Sequence, residues 1–335
     1  MPLHVVLSEV EHRRQRGQGM KIVIPGGSGQ VGKLLSRALL ADGHEVVVLS
    51  RTPGKVAGRV VVWDAETLGV WSAEVDGADV VINLAGRSVN CRYNNANRRD
   101  IMESRVRSTK IIGQAIADAA NPPRVWLQSS TATIYAHRYD APNDEATGII
   151  GGSEENVPDT WRFSIEVARA WEQAANDAVV PRTRKVLLRS AMTMSPDRGG
   201  VFDVLLGLVR HGLGGTSGDG RQFVSWIHDL DFIRAIYWLI DHELEGPVNL
   251  ASPNPLPNAH FMRALRQVWG IQFGLPSPRW MLEIGTFFLR TESELILKSR
   301  RVVPGRLLES GFVFQFPEWS GAATDLCRRW RDQKS

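Results

Sequence analysis

Three glycines spaced three apart, Gly26, Gly29 and Gly32, follow directly on a short apolar run, Ile22 to Ile24, and lead into a helical pattern from Val31 to Leu40. The chemistry this arrangement serves is anion binding. Glycine permits a tight turn and lets the backbone approach a phosphate, while a helix that starts at once offers free N–H groups and the positive end of its dipole. The stretch Gly26-Gly27-Ser28-Gly29-Gln30-Val31-Gly32 is therefore expected to cradle the pyrophosphate of a dinucleotide. Gly29 is expected to clear the phosphate path from a backbone of positive φ. An ordinary glycine-rich turn is the weaker alternative, because strand, turn and helix come in immediate succession.

Other residues with matching chemistry stand at the ends of later apolar runs. The second strand ends Leu49-Ser50-Arg51-Thr52, with no carboxylate. An acidic residue there would hold the 2′-hydroxyl of NAD, whereas an arginine suits the 2′-phosphate of NADP. Arg51 and Thr52 are expected at that phosphate, with Lys55 a lesser helper, and NADP(H) is the expected cofactor; a solvated arginine is the alternative. Leu84-Ala85-Gly86 ends the fourth strand, and residues this small let the backbone lie along a cofactor. Ser129 to Tyr135 brings a run of hydroxyls to the carboxyl edge of the sheet, where ligands bind in open α/β folds. Thr131 is a candidate to hydrogen-bond a substrate carbonyl, and Tyr135 a second catalytic candidate. His228 is expected to be structural rather than a general acid or base. No set of His, Cys, Asp and Glu has metal-ligand spacing, so no metal is expected.

These residues need a parallel sheet to hold them. Near-continuous Val/Ile runs over 22–24, 45–49, 60–63, 79–84, 124–128 and 185–188 alternate with helical patterns over 31–40, 98–120 and 167–178. That alternation predicts an α/β, Rossmann-type, doubly wound parallel sheet covered on both faces. Residues 20–195 are assigned to it, with return segments around 222–250. Shorter elements follow over 196–335, with helices expected at 201–210, 230–241, 258–269 and 279–289; they predict a smaller α+β C-terminal domain. Residues 1–19 are expected to be a disordered extension, with Met20 a candidate start of translation.

At 335 residues the chain can bury a core without staples, and its two cysteines, Cys91 and Cys327, suit a reducing compartment. The net charge of +4 and a pI near 9.3 come with no nucleic-acid motif, so no nucleic-acid partner is expected. The apolar run 280–289 is too short to span a bilayer, so no membrane association is expected and the protein is placed in the cytoplasm.

Taken together, these blocks resemble the extended short-chain dehydrogenase/reductase superfamily of nucleotide-sugar epimerase type. They are closest to an epimerase-like branch labelled as cell-division inhibitor homologues. The resemblance runs from Met20 to about Trp330. It rests on 25–32, Val-Ile-Asn-Leu-Ala-Gly (81–86), Glu-Ser-Arg (103–105), Leu-Arg-Ser (188–190), Gly-Leu-Gly-Gly (212–215), Gly-Arg-Gln-Phe-Val-Ser-Trp-Ile-His (220–228) and a C-terminal module at about 275–330 containing Val-Val-Pro-Gly-Arg-Leu-Leu-Glu-Ser-Gly-Phe (302–312). It implies bound NADP(H), held by the glycine loop, Arg51, Leu84, Ala85 and Arg105. It also implies a substrate phosphate near Arg221, hence an anionic small-molecule partner, with a surface salt bridge the equal alternative for that arginine, and a homodimer paired through the helices near 98–120 and 167–178.

Two departures stand out. Pro25 replaces the usual Thr before the loop. More consequential, superfamily catalysis uses Tyr-x-x-x-Lys on one helix face, and none of Tyr93, Tyr135, Tyr139 and Tyr237 has a lysine four residues on. In the corresponding helix Phe163 or Ser164 falls at the tyrosine place, and Val167 or Ala168 at the lysine place. Two expectations of different class follow. One is an oxidoreductase or epimerase with non-standard acid–base groups; the other is a non-catalytic NADP(H)-binding structural or redox-sensing protein that acts through partners, in cell or plastid division.

Overall fold

Strand β1 (Lys21–Pro25) is nearly all apolar because it is covered on both sides, and its neighbours share that composition. The computed structural model describes residues 19–54, 56–276 and 298–333. Lys55, the expected helix over 279–289 and all but the last residue of the N-terminal extension lie outside them. From β1 the chain alternates through α1 (Gln30–Ala41), β2 (Glu45–Ser50), β3 (Arg59–Val62), β4 (Val80–Asn83), α2 (Asn95–Asp118), β5 (Val125–Thr131), α3 (Asp159–Asn176) and β6 (Arg184–Ser190). A further strand, β10 (Gly246–Leu250), joins after an excursion and was not anticipated as a strand. The sheet order is β10-β6-β5-β4-β1-β2-β3, every pair parallel.

Alternation along each strand decides which helix covers it. Ile22, Ile24, Val46, Val48, Val80 and Ile82 face α1 and the later helix α5 (Asp229–Asp241), packing against Leu35, Leu39, Phe232 and Ile236. Val23, Val47, Val81, Trp126 and Leu187 face the other way, against Ile112, Ile116 and Ala175 of α2 and α3. A one-residue slip would swap the two sets, so the buried faces fix the register Ile22↔Val46 and Val23↔Val47.

β10 sits at one edge, and its short Gly-Pro-Val-Asn-Leu sequence fits an edge better than a centre. The Pro247 carbonyl accepts from Arg306 Nη1 at 2.8 Å, and the Asn249 N–H donates to Glu145 Oε1 at 2.7 Å. At the opposite edge, Arg59 of β3 pairs bidentately with Glu74, both bonds 2.7 Å.

The smaller lobe is built from β7 (Met192–Met194), α4 (Val201–Arg210), β8 (Phe223–Val224), β9 (Trp226–His228), β11 (Leu256–Pro257) and α6 (Asn258–Trp269), with the C-terminal α7 (Gly305–Glu309) and α8 (Trp319–Asp332). Phe202, Leu206, Trp226, Phe261, Trp319 and Leu326 share one core there. Buried Asp231, at the start of α5, accepts the N–H groups of Gln315 and Phe316 at 2.7 Å each and so anchors the C-terminal segment to the large sheet. Among the described residues no helix is long and apolar enough to cross a membrane.

Candidate functional site

At the carboxyl end of β1 the glycines divide the work. Gly26 is the one at positive φ, +75°, and a Cβ there would come within 2.7 Å of the Ala85 backbone. A Cβ on Gly32 would meet Gly27 Cα at 2.4 Å, so that glycine lets helix and strand close up. Gly29 departs from expectation: its φ is −70°, it is the N-cap of α1, and a Cβ would meet only the Gly26 carbonyl, at 3.4 Å. The space its missing side chain leaves is open, not filled by protein. α1 has no side-chain cap and no acidic residue in its first turn, which suits an anion at that end. Gln30 and Val31 open the helix, and Gln30 lies against Gly200 at the N-cap of α4. Ser28 is held from behind, accepting from buried Ser50 at 3.1 Å.

Past β2, Arg51 and Thr52 are exposed; Thr52 donates its N–H weakly to Ser50 Oγ at 3.4 Å. Arg51 makes no hydrogen bond or ion pair among the described residues, and it lines a small pocket with Trp63, Asp64, Gly86, Arg87 and Arg107. The other two cations there are committed. Arg87 pairs with Asp100, and Arg107 with Glu66 at 3.1 Å and Glu103 at 3.0 Å. Asp64, held by Thr67 and the backbone of Glu66, has its pKa lowered to about 2. It precedes Ala65, a non-glycine residue at φ +68° on the pocket wall. Sequence reasoning passed over Asp64 and Arg87, although a carboxylate just past the third strand is a readable signal.

At the end of β4 the Leu84 N–H donates to the Pro25 carbonyl at 2.8 Å and the Ala85 N–H to Asn83 Oδ1 at 3.1 Å, which aligns the backbone beside the glycine loop. Pro25 thus still carries a cross-strand bond through its carbonyl. The Arg105 side chain packs against Gly86, so a Cβ there would be 3.3 Å from it. Its Nη1 donates to the carbonyls of Arg87 and Ile101, both at 3.0 Å, and it lies 4.9 Å from the Trp171 ring. Burial lowers its pKa to about 10.

The hydroxyl candidates part company. Thr131 ends β5 half-buried, its Oγ1 accepting from the Thr133 N–H at 3.2 Å, which leaves its own proton for a ligand. Tyr135 does not join it at the edge. It is 2% exposed, and its hydroxyl donates to Asn249 and accepts from Arg189, both at 2.9 Å. Arg189 in turn grips Glu172 through two bonds of 2.8 Å, and Ser130 donates to the same carboxylate. Burial raises the Tyr135 pKa, so this phenol belongs to an internal network and not to an open cleft.

The places of the missing pair are apolar. Phe163 and Val167 pack with Tyr93 and Ile101, and Ala168 with Ala132 and Ile134. Ser164 is half-buried. His228 is sealed: Nδ1 accepts from the Leu230 N–H, Nε2 reaches Asp325 at 3.1 Å, and the ring stacks on Phe316. Arg221 is exposed and lies 5.6 Å from the Tyr139 ring, at the mouth of a second pocket of about 390 Å³.

Known proteins are similar to this one over most of the chain. The model described as the NAD dependent epimerase/dehydratase family matches residues 22–251, and one described as a domain of unknown function matches 277–326. Epimerase family protein SDR39U1 of Bos taurus is 31% identical over 318 residues, 92% of this chain and 99% of its own length. Epimerase family protein YfhF of Bacillus subtilis is 28% identical over 311 residues, 92% and 98% of the two chains. The crystal structure of human epimerase family protein SDR39U1 (isoform 2) with NADPH superposes with a TM-score of 0.80 at 28% identity, covering 92% of this chain and 99% of that one.

Proposed function

Because the chain belongs to the NAD-dependent epimerase/dehydratase family, we propose that it binds NADP(H) across the carboxyl edge of its sheet and acts as an epimerase-like oxidoreductase on a small molecule. The observation that carries this reading is Arg51, a cation left without a partner among the described residues beside an open glycine loop. The loop and the N-terminus of α1 would receive the pyrophosphate, with Gly29 leaving room. Arg51 and Thr52 would hold the 2′-phosphate, and the 84–86 backbone, backed by Arg105, would lie along the rest. Bound NADPH supplies a hydride. The relative solved with NADPH supports the choice of cofactor. At the reacting end, the Thr131 hydroxyl would donate to a substrate oxygen.

One observation favours a second reading. With Phe163, Val167 and Ala168 buried, α3 offers no ionisable group where the superfamily's acid–base pair would stand. On that reading NADP(H) is a structural or redox-sensing ligand and the protein acts through partners. Both readings require the cofactor. Calorimetric titration should therefore give an NADPH affinity roughly tenfold or more above that for NADH, the scale of one charge-assisted arginine–phosphate contact. Arg51→Ala should bring the two cofactors level. Equal affinities in the wild type, or a preference that survives Arg51→Ala, would reject the assignment.

A further inference from the structure

The pocket that Arg51 lines is of mixed charge, which is unexpected around a phosphate. Its walls carry three arginines, Arg51, Arg87 and Arg107, but also the carboxylates of Asp64 and Glu66. The volume is only about 90 Å³, so an anion that reaches Arg51 meets the other walls as well. Asp64 is already engaged. Its Oδ1 accepts the N–H groups of Glu66 and Thr67, both at 2.9 Å, and this tight turn sets Glu66 on the pocket wall. The Glu66 carboxylate meets Arg107 Nη1 at 3.1 Å, and the two side chains are 55% and 49% exposed.

The two engaged arginines are held differently. Arg87 is fixed through both arms, Nη1 on Asp100 and Nη2 on Asn97 at 2.8 Å. Arg107 meets two carboxylates with one contact apiece, Nη1 on Glu66 and Nη2 on Glu103 at 3.0 Å. Neither is the two-armed grip that makes an arginine–carboxylate pair strong, and exposed single contacts contribute little. A phosphate dianion accepts two parallel bonds from one guanidinium, so it outcompetes either glutamate. The Glu66 contact is also the one that spans two elements. Its carboxylate stands on the turn after β3 and its guanidinium on α2, whereas Glu103 lies four residues before Arg107 on α2 itself. Giving up Glu66 therefore leaves the pair within the helix intact.

We propose that Arg107 is a second reader of the cofactor's 2′-phosphate and that Glu66 is its built-in competitor: on binding, the guanidinium trades Glu66 for the phosphate and the glutamate turns out to solvent. The assignment rests on the NADP(H) reading above and goes beyond it. Arg51 is the standing cation, and the Arg107–Glu66 pair sets how far a phosphate is preferred over a bare hydroxyl. A cofactor without the phosphate leaves that pair closed, so Glu66 costs it nothing.

The test uses two probes that differ only by that phosphate, adenosine 2′,5′-bisphosphate and adenosine 5′-monophosphate. Each is titrated calorimetrically into the full chain and into Arg107→Gln, Glu66→Gln and the double variant; glutamine removes the charge and keeps a polar side chain. The wild type should prefer the bisphosphate. Arg107→Gln should weaken the bisphosphate about tenfold, the scale of one charge-assisted contact, and leave the monophosphate within about threefold. Glu66→Gln should strengthen the bisphosphate roughly threefold to tenfold with the monophosphate unchanged. That gain should shrink in the double variant, where no guanidinium is left to release. The inference is overturned if Arg107→Gln weakens both probes equally, which would make the arginine a cover for the nucleoside. It is overturned too if Glu66→Gln gains as much without Arg107 as with it. A preference that these variants leave unmoved but Arg51→Ala abolishes would sink this inference and leave the cofactor reading standing; no preference in the wild type would sink both.

Discussion

A single glycine, Gly29, separates binding from folding at this site. At φ −70° its backbone suits any residue, and its missing Cβ faces only the Gly26 carbonyl. Gly29→Val should therefore keep the far-UV circular dichroism and melting temperature near wild type while abolishing NADPH binding, because the branched side chain occupies the phosphate path. Gly26→Val is the contrasting change. It forces a side chain into the Ala85 backbone at φ +75° and should fold poorly, with the large loss expected of strain plus overpacking. Wild-type NADPH affinity in Gly29→Val would mean that phosphate binds elsewhere. The glycine spacing was legible in the sequence, but which glycine takes positive φ was not. Nor was the close approach that bars a side chain there, because Ala85 is a contact about sixty residues away that no local pattern announces. Tyr135 failed for the same reason: a phenol in a hydroxyl-rich turn looks available until Asn249 and Arg189 arrive from distant strands.

Among the elements, α3 decides how much chemistry is left. Its 3.6-residue period places Phe163 and Val167 against the α2 side and Ala168 against the turn after β5, each in an apolar cluster. General acid–base help from a positioned side chain is typically worth about 10²–10⁴-fold, and loosened positioning costs about 10²-fold more. Neutral carbonyls and common UDP-sugars should accordingly consume little NADPH, even though the cofactor raises the melting temperature; at 100 times Kd the linkage is worth about 2.7 kcal/mol. Differential scanning fluorimetry beside an absorbance assay reads both. Rapid oxidation of NADPH by such a compound, lost in Thr131→Ala, would favour catalysis and identify the hydroxyl as its donor. No thermal shift would count against both readings. The long apolar strands and amphipathic helices were readable because burial on both faces or on one stripe writes itself into the composition. β10 was not, since five residues with a proline and an asparagine carry no periodic signal. The apolar period alone showed α3 only from 167, and its earlier turns, from Asp159, were placed through the resemblance that put Phe163 and Ser164 on it.

At the scale of the whole molecule, the two lobes are joined by charge buried around α5. Asp231 is 0% exposed and binds Gln315, Phe316 and Arg234, while Asp229 takes two bonds from Arg329 of α8 at 2.8 and 2.7 Å. Asp231→Ala would strand two backbone N–H groups, so equilibrium urea unfolding should show a loss of about 3–5 kcal/mol. A loss under about 1 kcal/mol would show that the aspartate is replaceable by water. No reading of the sequence assigned Asp231 this part, because its partners lie more than eighty residues downstream. The edge of the sheet at β10 carries a different consequence. Proline at 247 has no N–H to offer, its carbonyl is taken by Arg306, and the Asn249 N–H is taken by Glu145. A foreign strand arriving there finds no ladder to extend, and at the other margin it meets the paired charges of Arg59 and Glu74. The same side chains that finish the fold thus keep crowded copies of the chain from zipping into fibrils through their sheets.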